Sequence, residues 1–165
     1  MVIWILGMSG SGKTTLAKLI LKKVKHKKII HIDGDAIRKI YNDKLGHSLA
    51  DRETNAERIS KLVKYITDQN IIVIASVLSN FPEWLKWNRK NLKNYYEIFL
   101  KTNIQILKKR KKLLYSNKIK NVIGLDLKFN NPKKPNLIIK DCNDLVQLKK
   151  NAARIANKII NKIKD

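Results

Sequence analysis

The sequence predicts a three-layer α/β/α fold built on a five-stranded parallel sheet. Apolar runs of strand length alternate five times along the 165 residues with longer segments whose apolar residues recur at helical spacing. The run Ile71–Ala75 is apolar without interruption, which is typical of a strand buried on both faces of a parallel sheet. The first run, Val2–Leu6, leads through a glycine-rich turn into a helical pattern. These observations favour one domain over residues 1–165, with ligands beyond the carboxyl ends of the strands.

The remaining elements follow in order along the chain. The further predicted strands are Lys28–Ile32, Ile71–Ala75, Tyr95–Leu100 and Asn136–Ile139. The predicted helices are one that starts near Lys13, Ala36–Ile40, Asp51–Asp68, a short one with Pro82 in its first turn, Ile104–Leu114 and Leu145–Ile163. Asp35 is the predicted N-cap of the second helix. The irregular stretch 115–131 is predicted to form a mobile lid.

The glycine-rich turn carries the strongest functional signal. Residues 7–14 read Gly-Met-Ser-Gly-Ser-Gly-Lys-Thr and match G-x-x-x-x-G-K-[ST] between a strand and a helix, the context in which this pattern binds phosphate. The glycines let successive backbone N–H groups point at one anion, and the helix adds its positive N-terminal end. Lys13 is then placed to reach the β- and γ-phosphates, and the Thr14 hydroxyl to bind Mg²⁺. The turn predicts binding of ATP or GTP.

Composition limits the other partners. Thirty-six Lys and Arg against 13 Asp and Glu give a net charge of +23, which attracts polyanions. The lysines are spread along the chain, however, as on a solvated surface, so we expect no specific nucleic-acid binding. No stretch reaches the about 20 apolar residues of a membrane span, and the chain enters a strand at once, which predicts a cytoplasmic protein. The single Cys142 has no partner for an internal disulfide and lies in a predicted polar loop.

Two carboxylates follow the second predicted strand. Asp33 and Asp35 flank a glycine at the strand end, where they would face the γ-phosphate across the cleft. A carboxylate beside a substrate hydroxyl can accept its proton during phosphoryl transfer. Arg38, one helical turn on, is placed to clamp a second phosphate. The alternative for the two carboxylates is a turn and a helix cap without catalytic role.

A second polar cluster stands at the start of the long predicted helix. Arg52 and Asn55 occupy neighbouring positions at helical spacing, next to Asp51 and Arg58. There they would bind an anionic acceptor that also forms hydrogen bonds. Taken alone, the cluster fits an ordinary exposed helix face equally well.

Taken together, these segments resemble the adenylylsulfate kinase family. The matches in the family's order and spacing are Gly7–Thr15, Asp33-Gly34-Asp35 with Arg38, Leu45-Gly46, Ser48, Asp51-Arg52, Asn55 and Arg58. Weaker matches are Ser79 with Arg89, Tyr96–Phe99, Lys112, Leu114-Tyr115, Gly124 with Asp126, and Pro135–Leu137. The resemblance implies a P-loop nucleotide kinase fold and a homodimer. It also implies transfer of the γ-phosphate of ATP, with Mg²⁺, to the 3′-hydroxyl of a small-molecule nucleotide with a 5′ mixed anhydride.

The same resemblance implies roles for individual residues. Asp35 would be the catalytic base, with Asp33 and Lys13 as the other catalytic residues. The implied ATP-binding residues are Gly7, Ser9, Gly10, Ser11, Gly12, Lys13, Thr14, Thr15 and Arg110, of which Thr14 would also hold the metal. The implied acceptor-binding residues are Asp33, Asp35, Arg38, His47, Arg52, Asn55, Ser79, Lys112 and Val122.

The chain departs from the family pattern on the acceptor side. Family members that use adenylylsulfate have Phe at the positions of His47 and Val122, and those two rings sandwich the acceptor's adenine. Base–aromatic stacking is worth about 1–3 kcal/mol per base, so losing both rings disfavours a purine by roughly tenfold to several hundredfold. The family's Ser-Pro-Phe-Arg is replaced by residues 79–82, and its Lys-Gly-Leu-Tyr by residues 112–115.

An intact donor half beside a changed acceptor pocket favours the cytidine diphosphoramidate kinase branch of the family. By that resemblance the enzyme acts on the 3′-hydroxyl of a pyrimidine nucleotide in bacterial capsule phosphoramidate synthesis. A smaller base and an uncharged –NH₂ would suit His47 and Val122. The alternative is an orthodox adenylylsulfate kinase that makes 3′-phosphoadenylylsulfate. An alternative from another class is a basic nucleic-acid-binding ATPase, against which the paired carboxylates Asp33 and Asp35 argue.

Overall fold

Five parallel strands, counted over the described residues, form the centre of the structure. The structure is a computed structural model, and it describes residues 1–26, 28–41, 45–78, 81–116, 119–140 and 144–164. The strands are β1 Val2–Leu6, β2 Ile29–Asp33, β3 Ile72–Val77, β4 Tyr95–Lys101 and β5 Leu137–Lys140. Their order across the sheet is β2-β3-β1-β4-β5. The predicted five-stranded parallel sheet is confirmed. Because β1 lies between β3 and β4, its carboxyl end opens at the middle of the sheet edge.

Helices cover both faces of this sheet. They are α1 Lys13–Val24, α2 Gly34–Ile40, α3 Leu49–Asp68, α4 Pro82–Asn91, α5 Ile104–Arg110 and α6 Leu145–Lys164. Helices α1 and α6 pack on one face, and α2, α3 and α4 on the other. The predicted three-layer arrangement is therefore confirmed. Over the described residues, no helix is both long and apolar enough to span a membrane.

The two cores follow from the alternation of side chains along the strands. Ile3 and Ile5 face α1 and α6, whereas Val2, Trp4 and Leu6 face α2, α3 and α4. All five residues are fully buried. Since both faces are covered, the central strands contain almost no polar residues, which is why they read as continuous apolar runs.

Several predicted boundaries are wrong. The N-cap of α2 is Asp33 and not Asp35, because Oδ1 of Asp33 accepts the backbone N–H groups of Asp35 and Ala36. Ser76, just beyond the predicted strand end at Ala75, lies inside β3 opposite Asp33. Helix α3 starts two residues early, at Leu49, where Ser48 and Asp51 form a capping box.

The helix predicted over 104–114 also ends early. Helix α5 stops at Arg110, and Lys111 leaves the helical region with φ −129° and ψ 53°. The segment 115–131 contains no helix and no strand among its described residues, apart from a bridge between Ile123 and Leu127. Its predicted mobility stays a prediction. Cys142 lies outside the described residues.

An ion pair between the partly exposed Arg89 and the buried Glu97 connects α4 to the sheet beneath it. The Nη2 of Arg89 lies 2.7 Å and 2.9 Å from the two carboxylate oxygens of Glu97, which is fully buried in β4. Tyr95 donates its hydroxyl to the same carboxylate at 3.0 Å, and the Oδ1 of Asn136 accepts the Glu97 backbone N–H. Burial raises the pKa of Glu97, while Arg89 and Tyr95 act to lower it. The carboxylate therefore depends on Arg89 to remain charged inside the protein.

We expect Arg89→Met to lower the free energy of unfolding by about 3 kcal/mol, because it leaves Glu97 buried without its counter-ion. The measurement is urea denaturation followed by circular dichroism. Lys61→Met is the matched control, since it breaks the exposed pair with Glu57 on α3 and should cost less than about 1 kcal/mol. Equal losses in the two variants would contradict the structural role of Arg89.

Candidate active site

A cavity of about 560 Å³ opens beyond the carboxyl ends of β1, β2 and β3. The predicted site residues that line it are Ser9, Gly10, Gly12, Lys13, Thr14, Thr15, Asp33, Asp35, Arg38, His47, Arg52, Asn55, Arg110 and Val122. Gly7 and Ser11 are buried outside this lining, and Lys112 is exposed outside it. Ser79 lies outside the described residues. The structure thus brings most of the predicted site to one cavity, although the predicted roles themselves stay predictions.

The glycine-rich loop wraps the start of α1. Gly12 caps the helix with φ 96°, a left-handed conformation that favours glycine, and among the described residues no side chain caps the first turn of α1. Gly7 allows close packing, because a Cβ there would lie 2.7 Å from the carbonyl oxygen of Leu100. The backbone N–H groups of the first turn are thus left to bind an anion in the cavity.

Lys13 lies folded over the loop. Its Nζ donates a hydrogen bond to the Met8 carbonyl at 2.8 Å. Burial lowers the pKa of Lys13 to about 8, against the raising influence of Asp35 and Asp33, and Lys111 lowers it further. A bound triphosphate would supply the negative charge that favours the protonated form.

Asp33 is fully engaged by hydrogen bonds. Its Oδ1 accepts the two backbone N–H groups of the α2 cap, and its Oδ2 accepts the hydroxyls of Thr14 at 2.8 Å and Ser76 at 3.1 Å. Burial would raise the pKa of Asp33, but these bonds together lower it. With its lone pairs occupied, the carboxylate suits a positioning role better than that of a base.

The residues present fit a magnesium ion beside the phosphates. Thr14 gives its hydroxyl hydrogen to Asp33, so the lone pairs of its oxygen remain for a hard cation. When bound, such an ion would neutralise charge on the transferred phosphate.

Asp35 differs from Asp33 in its surroundings. Its side chain is exposed in the cavity, and within the described part of the chain its carboxylate accepts no hydrogen bond. Its charge acts on Lys13 on one side and on His47 and Arg52 on the other. Asp35 therefore lies, with free lone pairs, between Lys13 and the arginine and histidine predicted to bind the acceptor.

Two arginines organise the acceptor half through backbone carbonyls. Arg38 donates to the carbonyl of Gly46. Arg52 donates to the carbonyl of His47 at 3.0 Å and to that of Asn121 at 3.1 Å, so it joins the segment before α3 to the lid segment. Burial lowers the pKa of Arg52, and Arg38 lowers it further, while Asp35 and Asp51 raise it.

Asn55 offers a hydrogen-bond acceptor, its Oδ1, to the predicted acceptor site. Its Nδ2 donates to the Gly34 carbonyl at 3.2 Å, which orients the amide. Its Oδ1 is buried, and the described residues provide it with no hydrogen-bond partner. That oxygen is available to a donor group of a ligand.

His47 and Val122 form part of the wall of the cavity. Partial burial lowers the pKa of His47, and Arg52 and Arg38 lower it further, against Asp35 and Asp51, so the imidazole is neutral at pH 7. Val122 is 4% exposed and packs with Leu107 and Tyr115. The wall therefore combines a polar ring with a small aliphatic side chain.

The end of α5 and the start of segment 115–131 contact the phosphate loop. Arg110 donates to the Gly10 carbonyl at 3.1 Å, and Tyr115 donates to the Ser9 carbonyl at 2.8 Å. Lys111 lines the cavity, whereas the family resemblance predicted Lys112. It reaches the cavity because α5 ends at Arg110 and the chain turns there.

The fold and the loop define a P-loop kinase, an ATP-dependent phosphotransferase with a hydroxyl acceptor. The adenylylsulphate kinase family model matches residues 1–140, so the chain belongs to that family. A cytidine diphosphoramidate kinase of Campylobacter jejuni is 35% identical over 158 residues, covering 90% of this chain and 91% of the relative. A probable adenylyl-sulfate kinase of Archaeoglobus fulgidus is 32% identical over 145 residues, covering 84% and 94%.

A solved structure agrees with this assignment. An APS kinase of Mycobacterium tuberculosis in complex with AMPPNP and APS is similar with a TM-score of 0.80 and 27% identity, over 99% of this chain and 97% of that one. The family resemblance predicted from the sequence is confirmed.

The lowered pKa of Lys13 makes nucleotide binding dependent on pH. Only the protonated amine attracts phosphate, so the association constant for ATP should fall about tenfold per pH unit once the pH exceeds about 8. Calorimetric titration with ATP between pH 7 and pH 9.5 measures this fall.

Lys13→Arg is the control, because a guanidinium stays protonated over this range and should flatten the profile. Tyr115 cannot cause the fall, since burial raises its pKa to about 12. A flat profile for the unmodified enzyme would rule out the titration of Lys13.

Proposed function

We propose that this enzyme transfers the γ-phosphate of ATP, with Mg²⁺, to the 3′-hydroxyl of cytidine diphosphoramidate. The donor half of the proposal is supported by the phosphate loop and by the family. The acceptor is supported by one observation: His47 and Val122 lie in the cavity wall at the positions where the adenylylsulfate-using pattern has two phenylalanines. By the same resemblance, the product would serve capsule phosphoramidate synthesis.

The proposed mechanism divides the work among residues of the cavity. Asp35 accepts the proton of the acceptor hydroxyl as that oxygen bonds to the γ-phosphorus and the bond to ADP breaks. Lys13 holds the transferred phosphate, and Thr14 holds the metal. Arg38 and Arg52 bind the acceptor's phosphates, which carry the negative charge that two guanidinium groups favour.

The composition of the wall favours a pyrimidine. Among the described residues that line the cavity, Trp4 and His47 are the only aromatic side chains, and Trp4 is fully buried in β1. An adenine would therefore lose the two-sided stacking worth about 1–3 kcal/mol. A neutral His47 offers one donor and one acceptor in the ring plane, which suits the polar edge of a smaller base.

Sequence identity alone does not choose the acceptor. The cytidine diphosphoramidate kinase is only a few percentage points more similar to this chain than the adenylyl-sulfate kinases are. The proposed choice of acceptor nucleotide therefore depends on the residues in the wall of the acceptor site.

A direct comparison of acceptors tests the proposal. ADP release would be followed by a coupled assay with cytidine diphosphoramidate, CDP and adenylylsulfate side by side. We expect the highest kcat/KM with cytidine diphosphoramidate. Efficient turnover of adenylylsulfate alone would identify an orthodox adenylylsulfate kinase, and ATP hydrolysis stimulated only by polynucleotide would indicate a nucleic-acid-dependent ATPase. Light scattering of the same preparation would test the predicted homodimer.

Asp35→Asn should lower kcat by about 100-fold or more, because an amide cannot accept the hydroxyl proton. ATP affinity should change far less than kcat, since Asp35 acts on Lys13 only through its charge and, within the described part of the chain, accepts no hydrogen bond from the phosphate loop. Steady-state kinetics and ATP calorimetry measure the two quantities.

Asp68→Asn serves as the matched control for this variant. It makes the same chemical change at the exposed end of α3, where Asp68 pairs with Lys64, and should leave kcat unaltered. Turnover by Asp35→Asn at the unmodified rate would remove Asp35 from the role of base.

Restoring the two rings should restore a preference for adenine. The double variant His47→Phe with Val122→Phe should raise kcat/KM for adenylylsulfate, relative to cytidine diphosphoramidate, by roughly tenfold to several hundredfold. Because Val122 is closely packed, a larger side chain costs about 1–3 kcal/mol of stability, so the melting temperature is recorded as well. His47→Phe alone is the variant that avoids this cost, and an unchanged acceptor ratio in both would contradict the proposed wall.

A further inference from the structure

His31 and Ser76 lie directly behind the paired carboxylates, and neither has a role in the mechanism above. Side chains alternate along a strand, so His31 and Asp33 of β2 point to the same face of the sheet. Ser76 of β3 is the register partner of Asp33 and lies beside both. The three side chains face the start of α1, where Thr14 completes the group.

Three short contacts connect these four side chains. The Nε2 of His31 lies 2.7 Å from the Oγ of Ser76. Ser76 donates to the Oδ2 of Asp33 at 3.1 Å, and Thr14 donates to the same oxygen at 2.8 Å. Ser76 is 3% exposed and His31 is half-buried, so water competes little for the bonds of Ser76.

The number of hydrogens on each group determines which group donates in each of these hydrogen bonds. The Ser76 hydroxyl has one hydrogen, and it goes to Asp33. Ser76 must therefore accept at His31, which assigns the ring hydrogen to Nε2. Burial lowers the pKa of His31, and Lys18 lowers it further against Asp33, so the ring carries a single hydrogen at neutral pH.

We propose that His31 and Ser76 are positioning residues for the magnesium–nucleotide complex, which hold the Asp33 carboxylate and through it the Thr14 hydroxyl. Without the Ser76 donor, one lone pair of Asp33 would lose its partner. The carboxylate would then turn toward Lys13, a nearby cation that attracts it. Thr14 would then lose the acceptor that turns its hydrogen away from the metal. The inference rests on the donor half of the proposed function and is independent of the acceptor.

The test measures how nucleotide binding depends on Mg²⁺. A fluorescent ATP analogue is titrated into the full-length protein with EDTA and at increasing Mg²⁺, without any acceptor. Ser76→Ala and His31→Leu should raise the Mg²⁺ concentration for half-maximal binding by about tenfold, the range found for groups that orient metal ligands. Binding in EDTA should stay within about twofold of the unmodified protein.

Two further variants separate positioning from packing. His31→Gln keeps a donor near the position of Nε2 and should restore the Mg²⁺ response to within about threefold. Ser60→Ala removes a fully buried serine hydroxyl from α3, away from the cavity, and should leave the response unchanged.

Several outcomes would overturn the inference. An unaltered Mg²⁺ response in Ser76→Ala and His31→Leu would do so, even if both variants melted earlier. Equal losses of binding with and without Mg²⁺ would show a damaged phosphate loop, and an Nδ1–H tautomer of His31 in the nitrogen NMR spectrum would break the donor chain. If the unmodified protein bound the analogue without any Mg²⁺ dependence, the metal-assisted donor half would fail together with the inference. Failure with every acceptor, by contrast, would leave these readouts intact.

Discussion

The carboxylate of Asp33 is the contact on which the arrangement of the site depends. It caps α2, accepts the hydroxyl of Thr14 in α1, and accepts the hydroxyl of Ser76 in β3. A single side chain thus fixes the start of two helices against the edge of the sheet. This contact requires β2 and β3 to be neighbours in parallel register, because only then does Asp33 lie opposite Ser76. The phosphate loop and the proposed base Asp35 are positioned by the sheet through this one residue.

The fold and the phosphate loop were predictable because both are local signals. Strand and helix periods, and a motif within eight residues, do not depend on distant contacts. The errors arise where a contact between residues distant in the sequence determines the end of a strand or the cap of a helix. Asp33 and Asp35 are equally good caps by composition, and the pairing with Ser76 extends β2 to Asp33 and makes that residue the cap. Ser76 itself resembles a loop residue until β1 and β2 supply its neighbouring strands.

The lysine predicted to bind the acceptor shows the same limit. The family pattern pointed to Lys112, whereas Lys111 lines the cavity because α5 ends at Arg110 and not at Leu114. The side chain of Lys111 also packs close to Gly10, where a Cβ would lie 3.1 Å from its Cγ. Glycine at that position therefore permits both the turn of the loop and the approach of Lys111 after α5. A contact across about a hundred residues cannot be read from local spacing, although His31 could have been found, since it lies two residues before Asp33 on the same strand face.

Arg52 gives a physical reason to treat His47 and Val122 as one specificity element. Its guanidinium binds the carbonyl of His47 and the carbonyl of Asn121, the residue before Val122. One rigid, planar group therefore sets the distance between the two backbone segments that carry the wall. Under the proposed function, a base between positions 47 and 122 would require that spacing whether the wall is aromatic or not. Different side chains at the two positions would then change the shape of the proposed base site, while Arg52 keeps the backbone spacing. In this way the proposed acceptor site could change its base while the phosphate loop stays the same.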